Sequence, residues 1–574
     1  MRIVTVRRVS QMFFLLMLLW LAAVTAIGDP WWRRRAWPVN WLLELDPLVA
    51  LGTVLTTGKL YAGLAWAVAT VVLTILLGRF FCGWVCPLGT MHQFFGWLGL
   101  RARPVQERIK ANRYRRGQSV KYYLLAVLLA MAVVRPASLQ TGLVDPIPLA
   151  HRSLGLAVWG VAESAGLKLS SAPRWYEWSW LIGGVFLAAI LLNLAIPRFY
   201  CRFVCPLGAM LGVLSRWSIW RIGKKQAQCV HCRLCEAGCE GACSPGGEIR
   251  ASECILCMNC LESCRHGVLA YQRTKSTAGE ITSPDISRRG LLASLGGGLL
   301  AVPLLRLSAQ TGVNWNSGII RPPGSLEEEE FLRRCIKCGQ CMRICPTNVL
   351  QPAGLNGGLE ALWTPVLNNR IGSSGCQLDC TVCGSVCPTA AIRPISLDEK
   401  RGRGQFAQAG PIRLGTAFVD RGRCLPWAMD LPCIVCQENC PVSPKAVFVR
   451  ECFSTIRGGI VSVLATSGAT VELKGALFQD GALATGDHFV AVQGERLAIV
   501  ANKASSIVVA KPWDKPPEPP SQVEIQVRLQ QPYVDPRACV GCGICEHECP
   551  VSGLRAIRVT AENESRSRKR ILMP

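Results

Sequence analysis

The chain has 574 residues, enough for roughly three to four domains, and half of them are hydrophobic, which is high for a soluble protein. Lysine and arginine outnumber aspartate and glutamate by 63 to 38, which gives a net charge of +25. The basic residues lie beside hydrophobic segments rather than in a basic groove interleaved with aromatic residues, so we predict no nucleic-acid partner. The composition favours a membrane protein whose positively charged loops face the cytoplasm.

Residues 1–222 are predicted to form a four-helix membrane domain. The third apolar run is short for a bilayer core, and its alternative interpretation is a buried helix of a soluble domain. Lysine and arginine cluster at 101–121 and again after the fourth run, so we expect both loops in the cytoplasm and the protein in a bacterial inner membrane. The four apolar runs are 11–28, 60–78, 120–134 and 178–196.

A short segment occurs twice in this domain, each time directly after a predicted helix. The copies are Arg79–Gly89 and Arg198–Gly208, and both contain the pattern C-x3-C-P-L-G. Cysteines four apart share one helical face, so the four are candidates for an additional metal site or for redox-active dithiols. The alternative is that they are small buried residues at a tight helix end. The four cysteines are Cys82, Cys86, Cys201 and Cys205.

Four other residues near the repeats are candidates for proton handling. Asp46 and Asp145 each precede a proline upstream of a repeat, and carboxylates at a membrane edge are often functional. His92 follows the first repeat and His151 lies in the second outer loop. Histidine can accept or release a proton near neutral pH, although such residues are more often simply packed.

Twenty-four of the thirty cysteines fall into six quartets typical of iron–sulfur ferredoxins. A C-x2-C-x2-C loop binds three irons of one cubane, and the fourth cysteine reaches the cubane of a partner quartet. Zinc would favour separated cysteine pairs, and disulfide frameworks belong to small secreted domains, so both alternatives fit less well. The quartets are Cys229, Cys232, Cys235 and Cys239; Cys254, Cys257, Cys260 and Cys264; Cys335, Cys338, Cys341 and Cys345; Cys376, Cys380, Cys383 and Cys387; Cys424, Cys433, Cys436 and Cys440; and Cys539, Cys542, Cys545 and Cys549.

The first two quartets, within residues 223–275, are predicted to form one two-cluster ferredoxin. In it Cys239 completes the second cluster and Cys264 completes the first. The proline that usually follows the fourth cysteine is missing after both residues. Cys243, just ahead of Ser244 and Pro245, is therefore an alternative ligand to Cys239.

Residues 284–308 are predicted to be a signal anchor of the twin-arginine kind. Ser287, Arg288 and Arg289 precede an apolar, glycine-rich stretch. Because cubanes are assembled in the cytoplasm, a loaded domain bound for the periplasm must cross the membrane folded. The alternatives are a basic hinge before an ordinary fifth helix and a cytoplasmic linker.

The remaining part, residues 324–574, is predicted to be a four-cluster ferredoxin domain. An alternating pattern of apolar and polar residues predicts a β-rich insert at about 453–512. The proline-rich run 511–520 is then predicted to be a stiff linker that returns the chain to the last quartet.

In order, these parts resemble two known families joined in one chain. The paired C-x3-C-P endings followed by a two-cluster ferredoxin resemble the NapH-type membrane quinol dehydrogenases. The twin-arginine segment and the quartets from Cys335 to Cys549 resemble the NapG/MauM-type periplasmic ferredoxins. The implied fold class is an α-helical membrane domain of four helices plus one anchor helix, with α+β bacterial ferredoxin-like [4Fe–4S] domains.

The resemblance implies six [4Fe–4S] clusters that carry electrons from quinol, in the membrane quinone pool, to a periplasmic terminal oxidoreductase or cytochrome. The first ferredoxin would be cytoplasmic and the four-cluster domain periplasmic, with about 30 Å of hydrocarbon between them. An assembly or maturation factor for a periplasmic metalloenzyme is the alternative function.

The resemblance also implies which quartets exchange their fourth cysteines: the first with the fourth and the second with the third quartet of the C-terminal domain. Under that scheme Cys549 joins the loop of Cys335, and Cys345 joins the loop of Cys539. Likewise Cys440 joins the loop of Cys376, Cys380 and Cys383, and Cys387 joins the loop of Cys424, Cys433 and Cys436.

Overall fold

A computed structural model describes residues 3–27, 39–134, 138–166, 174–225, 229–310, 319–475 and 478–566. The chain divides into two compact units. Unit 1 comprises residues 1–373 and 379–412, and unit 2 comprises residues 374–378 and 413–574. The division therefore falls inside the predicted four-cluster domain, because two of its quartets belong largely to unit 1.

Unit 1 is built on a helical domain in which short helices begin at proline. Asp46 and Asp145 each stand at the N-cap of such a helix, and Cys86 and Cys205 cap two others with their sulfur atoms. Proline suits the first helical turn, where its missing N–H has no intrahelical partner. The helices are α1 Ile3–Ile27, α2 Pro47–Thr57, α3 Ala67–Leu77, α4 Pro87–Leu100, α5 Val120–Val133, α6 Pro146–Ser153, α7 Ser179–Leu191, α8 Pro206–Leu214 and α9 Arg288–Gln310.

The predicted helices of the N-terminal domain are present, but most are shorter than a bilayer core requires. Among the described residues one helix, within Ile3–Thr25, has the length and hydropathy to cross a membrane. Other apolar helices cover Pro47–Thr57, Gly63–Leu77 and Ser179–Leu194, and each has fewer than 18 residues. The expected four-helix membrane domain is therefore not confirmed.

The predicted anchor segment forms α9, which packs along α5 in the same direction. Ser287, just before α9, lies beside Tyr123 near the start of α5, and Val302 packs against Met131 near its end. Gly298 allows close approach, because a Cβ there would lie 2.6 Å from the carbonyl oxygen of Val127. Small residues allow such close packing between helices in membranes.

The first ferredoxin packs against one end of the helical domain. Its strands are β1 Arg221–Lys224, β2 Ile249–Arg250, β3 Leu269–Gln272 and β4 Glu280–Ile281, with β1 antiparallel to β3 and β2 parallel to β4. The buried ion pair between Lys121 and Glu253, 2.5 Å long, fixes the ferredoxin near the start of α5.

The loop of Cys335 packs against the opposite end of α5. Leu139, which follows α5, donates its backbone N–H to the carbonyl oxygen of Leu332 at 2.9 Å. Two short strands, β5 Leu350–Pro352 and β6 Pro365–Leu367, follow this loop. With 14 residues, α5 separates the two cluster-binding regions by about 21 Å along its axis.

Unit 2 contains a closed barrel of six strands, which are β8 Val447–Ser467, β9 Thr470–Leu473, β10 His488–Val492, β11 Glu495–Lys503, β12 Ser506–Val509 and β13 Gln522–Val534. Their order around the barrel is β10-β11-β12-β9-β8-β13. Its interior is filled mainly by aliphatic side chains, with Trp513 from the loop before the last strand. A separate pair, β7 Thr416–Val419 with β14 Ile557–Thr560, lies beside the cluster loops.

The barrel is larger than the predicted insert, and the proline-rich run has a different place. Strand β13 pairs with β8 from Gln522 to Val534, so the barrel ends just before the last quartet. Residues 511–520 therefore form a loop between β12 and β13 rather than a linker to Cys539. Alternation predicted the strands, but it could not show that the strand after the proline run closes the barrel.

Candidate functional site

The four regular quartets share one backbone conformation around their cysteines. In each, the two residues on either side of the second cysteine have positive φ, between 52° and 79°. In all six quartets the third cysteine is the second residue of a short helix. Those helices are Leu234–Ala237, Asn259–Ser263, Gln340–Ile344, Val382–Ser385, Val435–Glu438 and Ile544–Glu548.

This conformation turns backbone N–H groups toward the sulfur atoms. The N–H of Lys337 donates to Cys335 and that of Gln340 to Cys338, and each bond favours the thiolate by lowering the pKa of its cysteine. Burial has the larger, opposite effect and raises the pKa of these two thiols to about 11 and about 12. Buried thiols with N–H donors fit an iron–sulfur cluster, which binds thiolates and is tuned by hydrogen bonds to sulfur.

In the first ferredoxin the fourth cysteines exchange as expected. Cys264 is a neighbour of Cys235 in the first loop, and Cys239 is a neighbour of Cys257 and Cys260 in the second. Such a fold would hold two [4Fe–4S] clusters, which supply one-electron chemistry.

Cys243 also lies at the second of these sites. Its sulfur is 3.4 Å from that of Cys239, and its backbone N–H donates to Cys239 at 3.3 Å. The Cys243 thiol lowers the pKa of both Cys239 and Cys254 by hydrogen bonding. The two sulfurs of Cys239 and Cys243 are too close to ligate different irons of one cubane, so Cys243 is better placed as a donor to two ligand sulfurs.

In the C-terminal domain the exchange of fourth cysteines differs from the implied one. Cys387 is the neighbour of Cys335, Cys338 and Cys341, so the first quartet pairs with the second. Cys440 lies with Cys539, Cys542 and Cys545.

Likewise Cys549 lies with Cys424 and Cys436, so the third quartet pairs with the fourth. The implied pairing of first with fourth and second with third quartets is wrong, because neighbouring quartets fold together. Cys345 is the remaining fourth cysteine, and by elimination it joins the loop of Cys380 and Cys383 in unit 1. Cys376, the first cysteine of that quartet, belongs to unit 2.

The four cysteines of the repeat converge on one buried site, which we call the four-cysteine site. Cys82 and Cys201 lie in short helical turns, while Cys86 and Cys205 stand at the N-caps of α4 and α8. The spacing predicted that each pair of cysteines would lie on one face of a single helix. In the structure each pair is instead divided between a short helical turn and the N-cap of the next helix. Burial raises the pKa of Cys205, and the other three thiols raise it further, which shows all four to be neighbours.

Two buried arginines complete this site, and sequence reasoning missed them. Arg79 and Arg198 are the first residues of the two repeats, and each reaches across to the opposite copy: Arg79 lies beside Gly208, and Arg198 beside Gly89. Arg79 also lies 3.9 Å from the sulfur of Cys82. Two guanidinium groups beside four thiols would offset the charge of two thiolates. The signal available in the sequence was the repeated arginine itself.

The four-cysteine site contacts the first ferredoxin on one side. Arg79 donates to the carbonyl oxygen of Ser252 at 2.6 Å, two residues before Cys254. Gly83 lies against the loop between Cys254 and Cys257, where a Cβ would be 2.1 Å from the carbonyl oxygen of Ile255.

The same site shares a continuous buried core with the Cys335 loop. Cys86, Cys205, Ile336 and Cys338 all belong to that core. Arg152 fixes the Cys335 loop by donating to the carbonyl oxygen of Lys337 at 2.9 Å.

The four candidate proton-handling residues are all buried. His92 lies 2.5 Å from Asn193 and stacks on Tyr200 with ring centroids 5.7 Å apart, and burial lowers its pKa to about 3. Burial lowers the pKa of His151 to about 4. Both histidines are therefore neutral at physiological pH. Asp46 and Asp145, in contrast, lie together.

Two family models match four segments of the chain. A 4Fe-4S binding domain model matches residues 60–106 and 176–225, which contain the two repeats, and a second 4Fe-4S binding domain model matches 332–351 and 532–555. In the parts of the chain that the structure describes, no group of three or more histidine, cysteine, aspartate or glutamate side chains is spaced to hold a single metal ion. No solved structure matches the chain.

Several curated proteins are similar over part of the chain. The regulatory protein NosR of Pseudomonas aeruginosa is 28% identical over 189 residues, 32% of this chain and 24% of NosR. The protein NirI of Paracoccus denitrificans is 27% identical over 275 residues, 44% of this chain and 37% of NirI, so the chain spans well under half of either relative.

The ferredoxin-type protein NapG of Escherichia coli is 35% identical over 173 residues, 29% of this chain and 67% of NapG. These similarities and the cluster-binding domains agree with the cysteine geometry in indicating electron transport through iron–sulfur centres. The chain therefore belongs to the family of ferredoxin-type proteins represented by NapG, and it is an iron–sulfur electron-transport protein.

Proposed function

We propose that the protein conducts electrons from quinol, through the helical domain, to a redox protein on the other side of the membrane. The observation that carries the proposal is the position of the four-cysteine site. It contacts the first ferredoxin through Arg79 and Gly83, and it shares a buried core with the loop of Cys335. Electron transfer weakens steeply with distance, so a redox centre between two cluster regions would allow transfer across α5.

In this proposal Cys82, Cys86, Cys201 and Cys205 hold an additional redox-active metal centre, and Arg79 and Arg198 neutralise its charge. The six quartets hold six [4Fe–4S] clusters. Helices α5 and α9 run in the same direction, so the first ferredoxin, which precedes α9, and the Cys335 loop, which follows it, lie at opposite ends of this helix pair. This supports a cytoplasmic first ferredoxin and a second part exported as a twin-arginine substrate.

The experiment uses purified, cluster-replete protein in liposomes with a quinol analogue as reductant. We expect the visible absorption of the clusters to bleach, and a Cys82→Ser/Cys201→Ser variant to retain the ferredoxin clusters but lose most of the rate. Cys452→Ser is the matched control, because Cys452 lies in β8 outside every quartet. Clusters that neither bleach with quinol nor recover with a quinone would refute the proposal and favour an assembly factor.

Reporter fusions after Thr277 and after Gly324 test the sidedness separately. We expect a cytoplasmic signal from the first and a periplasmic signal from the second. Signals on the same side would contradict export of the second part.

A further inference from the structure

The repeat-related aspartates Asp46 and Asp145 form a buried carboxyl pair. Both side chains are fully buried, and they lie outside the one helix long enough to cross a membrane. Oδ1 of Asp46 accepts hydrogen bonds from the backbone N–H groups of Leu48 at 2.9 Å and Val49 at 3.4 Å. Asp145 lies beside the carboxyl group of Asp46 and the backbone N–H of Ile147, but Oδ2 of Asp46 and both oxygens of Asp145 have no hydrogen bond of ordinary geometry in the described part of the chain. These carboxyl oxygens are therefore free to bind a proton.

No described cation neutralises the pair. Arg152, on the same helix as Asp145, directs its guanidinium to the carbonyl oxygens of Gly142, Leu143 and Lys337 instead. The other titratable groups nearby are Tyr200, which is a neighbour of Asp145, and Glu44, two residues before Asp46. His151 lies on the helix of Asp145 and is neutral.

Two adjacent buried carboxyl groups without a cation cannot both be ionised. Burial raises the pKa of Asp145 well above its usual range, and the charge of Asp46 raises it further. Burial also raises the pKa of Asp46, to about 6, although the helix N-terminus favours its anion. Near neutral pH the pair therefore carries one proton and has room for a second.

The pair lies next to the electron path. Tyr200 is a neighbour of Asp145 and also of Cys201 and Cys205, and its hydroxyl donates to the carbonyl oxygen of Val144. Gly142, three residues before Asp145, packs against Ile336 in the Cys335 loop, where a Cβ would lie 2.0 Å from the Ile336 carbonyl oxygen. The carboxyl pair is thus linked to the four-cysteine site and to the next cluster loop.

We propose that Asp46 and Asp145 share one proton and take up a second from solvent each time the four-cysteine site gains one electron. A quinol supplies two such electrons in succession, is oxidised to the quinone, and releases its own two protons. The inference rests on the proposed redox role of that site. One electron and one proton arrive together, so the net charge of the buried core does not change. When the electron leaves for the Cys335 side, the pair returns the proton to solvent. This compensation matters because an added charge is costly in a low-dielectric interior.

The test is a spectroelectrochemical titration of the full-length, cluster-replete protein, with dithionite as reductant and ferricyanide as oxidant. Above about pH 6 we expect the midpoint potential of the four-cysteine centre to fall by about 59 mV per pH unit, one proton per electron. The signal of that centre is the one lost in Cys82→Ser/Cys201→Ser. We expect Asp46→Asn and Asp145→Asn each to remove the pH dependence. Glu44→Gln is the matched control and keeps it, because Glu44 is only half-buried.

Infrared difference spectra of the wild-type protein give a second readout that needs no variant. Reduction is expected to add a protonated-carboxyl C=O band that shifts in heavy water. A centre that is present and reducible, but with neither this band nor a pH-dependent potential, would overturn the proton proposal and leave the proposed function intact. If no signal is assignable to the four-cysteine site, the redox role fails and this inference fails with it.

Discussion

The two repeats are alike around the four-cysteine site and differ where they meet the rest of the protein. Both supply two cysteines and one crossing arginine. Gly83 in the first copy corresponds to Arg202 in the second, yet both contact the same part of the first ferredoxin: Gly83 packs on Ile255, while Arg202 donates to the carbonyl oxygen of Glu240 at 2.9 Å. The shared residues build the site, and the divergent ones position the loop of Cys254, Cys257 and Cys260 against it.

The largest effect is expected from filling the first contact. In Gly83→Val the Cβ would lie 2.1 Å from the carbonyl oxygen of Ile255, so the side chain would clash with the ferredoxin backbone and displace it. We expect a loss of at least about 3 kcal/mol of stability and faster proteolysis of residues 229–281, since overpacking is costly where backbone must move. Gly184→Ala is the control, because nothing lies within 4 Å of a Cβ there. Equal protease resistance in both variants would contradict the close contact.

The second contact is tested by Arg202→Ala. Arg202 also donates to Asn112 at 2.8 Å and to the carbonyl oxygen of Ala111 at 3.1 Å, so the variant leaves several buried acceptors unpaired. We expect a loss of about 2–4 kcal/mol in thermal or denaturant unfolding. Arg216→Ala, at a more exposed arginine stacked on Trp217, is the comparison and should have little effect.

Stability should also depend on pH through the aspartate pair. Because the folded-state pKa of Asp46 is raised from 3.8 to about 6, its contribution is complete at low pH and is lost as pH rises through about 6. The effect is on the order of 2–3 kcal/mol. The melting temperature of the wild-type protein should fall between about pH 4 and about pH 6, and Asp46→Asn should flatten the curve there, since asparagine also caps helices well. A wild-type curve that rises over this range would contradict the raised pKa.

The smallest effect tests the symmetry of the arginines. Arg79→Gln and Arg198→Gln each remove one positive charge beside the thiols, which disfavours the reduced state. Each should lower the midpoint potential of the centre by about 59 mV, a tenfold change in its reduction equilibrium. Unequal shifts would show that the two copies do not share the centre evenly.

Motifs with a fixed local geometry were the most predictable parts of this chain. The spacing of the regular quartets predicted loops that the structure forms with the same backbone conformation around Cys335 and Cys539. The repeat predicted that Cys82 and Cys201 would meet. These outcomes depend on short stretches of chain, in which residue type and spacing determine the backbone.

Long-range pairing was less predictable. Which quartet receives Cys387 or Cys440 depends on how loops of different length fold back, and neighbouring quartets close shorter loops. The closure of the barrel by β13 depends on a strand beyond the proline-rich run. Arg79 was missed because a basic residue beside an apolar helix usually marks a membrane boundary, and only the fold shows that it turns inward.

The barrel in unit 2 joins the ferredoxin in a way that makes it separable. Strand β8 starts at Val447 and β13 ends at Val534, and these two residues are partners in the same ladder. The ends of the insertion are thus held side by side whatever lies between them, so its length adds little entropic cost to closing the cluster loops. The same ladder could carry a short hairpin or a foreign domain, which makes this position a natural point for gaining or exchanging a module in evolution and for inserting a label in the laboratory.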